Sequence, residues 1–185
     1  LYFLYNNNVE INATDFAKKI GLTVMTASRA LNDLYKAKLI TYKIGGKTGR
    51  SKEYKRIADP YYFKLGQVHI KSPVRKVVYV DVMPDNTLIA GLEALAQISM
   101  INPPKHPIRA ISYEQIKKQE LKVHKNKENF KEEALVELEI WNYDPALLTD
   151  NKCVDVMSLY ESLKDEKDER VEQTLEDVLR DETWY

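Results

Sequence analysis

A chain of 185 residues that is 44% hydrophobic and 30% charged can bury a core, as one large domain or two small ones, and is no disordered tail. No run nears the ~18 apolar residues of a membrane span, no secretory signal is legible, and one cysteine, Cys153, cannot form an internal disulfide, all as expected of a cytoplasmic protein. The 28 Lys+Arg balance the 28 Asp+Glu, yet residues 1–80 hold 15 against 5 and residues 81–185 hold 13 against 23, a split that predicts a nucleic-acid-binding part joined to a part with another task.

The chain opens at Leu1 rather than Met, on an apolar Leu1-Tyr2-Phe3-Leu4-Tyr5 that implies removed upstream sequence. Asn12 is a good helix N-cap, with Asp15 placed to reach back as in a capping box. Phe16, Ala17 and Ile20 form an apolar stripe, and Gly21 suits the left-handed residue that ends a helix. Thr23 caps a second predicted helix to about Lys38, with Ala27, Ala30, Leu31 and Leu34 inward. Leu39 to Tyr42 and Glu53 to Ile57 read as strands flanking a glycine-rich loop. These elements make residues 1–58 a domain, with 59–75 a connector carrying Tyr61, Tyr62 and Phe63 between Pro60 and Pro73.

Residues 76–185 alternate. Val77 to Val80 reads as a strand and Leu88 to Met100 as a helix with Leu88, Leu92, Leu95 and Ile98 on one face. Ile108 to Ser112 is a short strand, and Tyr113 to Glu120 a helix. Leu135 to Trp141 alternates as a half-buried strand does, and two striped helices close the chain (Val156, Leu159, Tyr160, Leu163, then Val171, Leu175, Val178, Leu179). The expected fold class is α+β: an N-terminal winged helix-turn-helix followed by a mixed α/β domain.

The helix-turn-helix expectation rests on Ala13 to Asn32. Two helices crossing steeply need a small residue at the contact, a glycine in the turn and apolar inner faces. Ala17 and Gly21 meet the first two needs, and Phe16, Ile20, Leu22, Ala27 and Ala30 the third. Thr23, Met25, Thr26, Ser28, Arg29 and Asn32 then project outward. Arg29 suits guanine, Asn32 adenine, Thr26 a thymine methyl or a phosphate, and Thr23 a phosphate at the helix N-terminus. The same side chains also fit a merely solvated face, with Thr23 and Asn32 capping or solvating. Lys43, Lys47, Arg50, Lys52, Lys55 and Arg56 make the following hairpin basic, as a wing against the phosphate backbone is. Gly45, Gly46 and Gly49 lack the spacing of a P-loop.

Ile11 to Ala17, Ala27-Ser28-Arg29-Ala30-Leu31-Asn32-Asp33-Leu34 and the wing resemble the winged-helix part of MarR-type bacterial regulators over about 50 residues. The second half resembles the C-terminal region of AbiEi-type antitoxins, through Gly91 to Ala96, Pro103 to Ile111, Trp141-Asn142-Tyr143-Asp144-Pro145, Val154 to Tyr160 and Asp168 to Glu172. That resemblance implies an operon repressor that also counteracts a toxin, while the basic wing, through Lys43, Lys47, Arg50 and Lys52, is the part expected to meet operator double-stranded DNA. The resemblance also implies a partner, a nucleotidyltransferase-type toxin from a neighbouring gene, with a homodimer as a further option.

Asp81, Asp85, Glu93, Glu137 and Glu139 raise the alternative of a metal-dependent nuclease, although the strand offers no lysine beside its carboxylates; a plasmid replication protein is a further alternative. Glu137 and Glu139 otherwise read as the wet side of a half-exposed sheet, and Glu161 to Glu169 as a solvated helix junction. Ser158 and Cys153 lack an adjacent histidine, and His69, His106 and His124 lack ligand spacing. No enzyme, catalytic residue, metal or cofactor is expected.

Overall fold

The computed structural model describes residues 1–45, 49–125 and 135–184. Its fold is mixed α and β, with eight α-helices and two small sheets among the described residues. It divides into two compact units, Leu1–Ile70 (grouped with Trp184) and Lys71–Thr183. Residues 59–70 thus fall with the first unit.

In the first unit, α1 (Tyr2–Tyr5) buries Phe3 and Leu4. Phe3 stacks on Phe16 at 5.7 Å between ring centroids, so the abrupt apolar opening serves as core. α2 (Ala13–Lys19) starts at Asn12, whose side chain accepts from the Thr14 and Asp15 amides. Asp15 does reach back, but it accepts from the Asn12 side-chain amide at 2.8 Å rather than from the backbone of a capping box. Gly21 takes φ +67°, and the Leu22 N–H closes on the Ala17 carbonyl at 2.9 Å, the backbone pattern of a Schellman stop. α3 (Val24–Lys36) follows at once, capped by Thr23, which accepts from the Thr26 amide. It ends at Lys36, two residues short of the expected end.

Ala27 and Leu31 of α3 are fully buried, whereas Ala30 and Leu34 are half-buried and Leu22 is 45% exposed. Leu22 therefore corrects the expected inner face: it sits in the turn, past the point where the stripe of α2 is still directed at the core. β1 (Ile40–Gly45) pairs antiparallel with β2 (Ser51–Arg56), Tyr42 opposite Tyr54 and Lys43 opposite Glu53. Ile11 adds a single bridge to Tyr54 from the far side of β2, making two backbone hydrogen bonds there. α4 (Tyr62–Gln67) buries Tyr62 and Phe63.

The second unit is built on a four-stranded sheet of order β3-β6-β5-β4. β3 (Val74–Val80) pairs antiparallel with β6 (Val136–Trp141), β5 (Ile108–Ser112) runs parallel to β6, and β4 (Leu88–Ile89) is antiparallel to β5. One face packs Trp141, Ile108 and Ala110 against α5 (Gly91–Ile98), α7 (Val156–Leu163) and α8 (Glu169–Arg180). The other gathers Val78, Val80, Ile111, Leu138 and Ile140, with α6 (Tyr113–Ile116) beside them.

Five expectations change here. Leu88 lies in a strand, and the helix begins only at Gly91, because Leu88 and Ile89 pair with Ala110 and Arg109. Ile98 at its far end is 44% exposed. α6 stops at Ile116, short of Glu120. β6 is a central strand covered on both faces rather than half-buried, so Glu139, on the face beneath the helices, is 6% exposed instead of wet. Glu161 likewise leaves the solvated junction: it is 2% exposed and accepts from Lys164 Nζ at 2.7 Å.

Candidate nucleic-acid interface

The helical repeat places Met25, Ser28, Arg29 and Asn32 at i, i+3, i+4 and i+7, one stripe on the exposed side of α3 opposite Ala27 and Leu31. With Val24, Lys52 and Tyr54 they line one cleft of about 690 Å³. Of the ten side chains singled out from sequence, Met25, Ser28, Arg29, Asn32 and Lys52 are thus brought together. Lys52 belongs there because it shares a strand face with Tyr54 and Tyr42, and its Nζ lies 4.2 Å from the centre of the Tyr42 ring. Tyr42 in turn contacts the rings of Tyr35 and Tyr54, at 5.0 and 5.7 Å.

Thr23 and Thr26 stand at the helix start, both exposed, with their hydroxyls 2.9 Å apart. Thr23 is the cap, so part of its hydrogen-bonding capacity is spent on the helix itself. Arg50 is exposed at the foot of β2. Lys47 lies outside the described residues, as do Gly46 and Thr48.

Lys43 is placed differently. It lies on the opposite strand face, hydrogen-bonded to Glu10 and 3.7 Å from Glu53, while Lys55 lies 3.9 Å from Glu10. The Glu10 hydrogen bond holds the Lys43 ammonium above its ordinary range, and the same bond, with the charges of Lys43 and Lys55, holds Glu10 below the usual carboxylate range. Arg56 is also engaged, its guanidinium 4.1 Å from the Tyr62 ring centre. The basic hairpin therefore has one face that carries Lys52 toward α3 and another whose lysines are matched by acids.

Sequence reasoning missed Glu10, Val24, Tyr42 and Tyr54. Tyr54 was detectable, because it alternates with Glu53 and Lys55, and an aromatic between two charged neighbours on a strand marks the inner face. Glu10 gave no signal, since its partner is 33 positions away.

Two of the acidic residues weighed for a nuclease are engaged by neighbouring side chains and backbone. Glu93 accepts from the Ile108 amide at 2.6 Å and pairs with Arg109, which also donates to the Ile108 carbonyl at 2.9 Å. Glu139 accepts from Trp141 Nε1 at 2.9 Å, and burial pushes its carboxyl up to about 7, with the Glu137 charge adding to the rise. Among the described residues, no three His, Cys, Asp or Glu side chains group as a metal site. No helix among them is long and apolar enough to cross a membrane.

Comparison with protein-family models, with curated proteins and with solved structures found no match to this chain.

Proposed function

We propose that the first unit is a winged helix-turn-helix and the chain a sequence-specific DNA-binding transcriptional regulator, an operon repressor that also acts as an antitoxin. The observation that carries this reading is the cleft in which Met25, Ser28, Arg29 and Asn32 of α3 meet Lys52 of the hairpin. It combines groups able to read base edges with a cation able to hold a phosphate. Residues 1–70 hold 12 Lys+Arg against 5 Asp+Glu, which favours a polyanion. α3 is the recognition helix in this reading and the hairpin the wing. The acidic second unit repels DNA and is the part that engages a protein partner, a nucleotidyltransferase-type toxin encoded nearby.

Salt dependence tests the wing. Charge reversal at Lys47, Arg50 and Lys52 should weaken binding to every duplex and reduce the slope of log affinity against log salt by about one for each phosphate no longer neutralised. Lys43→Glu should change that slope less, because Glu10 and Glu53 already offset its charge. An unchanged slope in the triple reversal removes the hairpin from the interface.

A further inference from the structure

Leu22, Val24 and Met25 are 45%, 49% and 65% exposed. Large apolar side chains this close together are left in water at a cost that folding does not offset. Met25 heads the stripe that continues through Ser28, Arg29 and Asn32, and with Val24 it forms the apolar end of the cleft that those three and Lys52 complete. The major groove offers the same division of chemistry. Thymine presents a C5-methyl group there, beside the acceptors and donors of neighbouring bases.

We infer that Val24 and Met25 read the C5-methyl of a thymine, fixing a T·A pair close to the base pair that Arg29 reads. The inference rests on the DNA-reading proposal and deepens it by naming a base that the hydrogen-bonding residues do not choose. Charge argues for this occupant over the apolar face of a protein: Arg29 and Lys52 bring two cations to the same cleft, in a unit with a marked basic excess. The spacing agrees. Seven residues of helix rise about 10 Å, which is about three base steps at 3.4 Å each. The methyl and the base under Asn32 therefore fit within one short half-site.

The test uses the full chain and the duplex it enriches from a random pool, with each thymine of that duplex replaced in turn by deoxyuridine. Deoxyuridine keeps the pairing edge and the O4 acceptor and lacks only the methyl. The wild-type chain should lose about three- to fivefold in affinity at a thymine in the half-site. The Val24→Ala/Met25→Ala double variant, altered only at exposed positions, should lose a similar factor on the unmodified duplex and be indifferent to deoxyuridine. Wild-type binding that ignores every replacement, or a double variant as sensitive as the wild type, overturns the inference. The DNA-reading proposal then still stands if Arg29→Ala weakens binding to the enriched duplex more than to random duplexes. A chain that enriches no sequence overturns both.

Discussion

Gly91→Ala should destabilise the second unit by about 3 kcal/mol, which combines a left-handed backbone penalty with overpacking. Gly91 takes φ +52° at the start of α5, and a Cβ built there would stand 2.9 Å from Ile108 Cγ2 and 3.0 Å from Glu139 Oε1. Both neighbours are held in central strands, so neither can yield cheaply. Gly21 supplies the contrast: φ is +67° but nothing lies within 4 Å of its Cβ position, and Gly21→Ala should cost about 1–2 kcal/mol, the backbone penalty alone. Urea unfolding followed by the emission of buried Trp141, in a Trp184→Phe background that leaves it the sole tryptophan, measures the first value. A cost for Gly91→Ala no greater than for Gly21→Ala would show that the close approach does not constrain the unit.

Glu139→Gln should remove most of the pH dependence of the same transition. Burial and the neighbouring Glu137 charge raise the Glu139 carboxyl from 4.5 to about 7, against the Trp141 donation that lowers it. A raised folded-state value means that the folded unit binds a proton the unfolded chain releases. The stability this contributes is fully present below about 4.5 and is lost as pH rises through about 7. Each tenfold difference in proton affinity between the folded and unfolded chain is worth about 1.4 kcal/mol, so the wild-type unit should be about 2–3 kcal/mol less stable at pH 8 than at pH 5 on account of this group. Glutamine cannot ionise and still offers an oxygen to Trp141 Nε1, so the variant should show a flat profile across that window. A variant whose stability falls with pH as steeply as the wild type would remove Glu139 as the cause.

Local chemistry made much of the first unit legible. Asn12 and Thr23 announce their helices because a side-chain oxygen at that position satisfies an otherwise orphaned amide, and Gly21 announces the stop because its backbone conformation costs other residues energy. Leu88 was misleading for a physical reason. Leu88, Leu92 and Leu95 share one helical face, but two residues suffice for a strand when an adjacent strand accepts them, and periodicity cannot see Ala110 and Arg109. Glu139 misled in the same way. Alternation marks a half-buried strand, whereas burial on the second face depends on helices distant in the chain, α5 before β6 and α7 and α8 after it. In the candidate site, the outward stripe of α3 was readable from its spacing. The pairing of Lys43 with Glu10 was not, because charge counting treats every lysine of a hairpin as free.

The central claim is that α3 reads base sequence in duplex DNA. Its most direct test is the affinity of the full chain and of Arg29→Ala for a duplex enriched from a random pool and for unselected duplex at the same salt concentration. Arg29 is exposed and lines the cleft, so its truncation leaves the fold intact. A bidentate contact to guanine predicts a loss of about 1–3 kcal/mol on the enriched duplex and a much smaller loss on unselected DNA. Equal losses on both, or an enriched duplex that the variant binds as tightly as the wild type, would contradict base reading by α3.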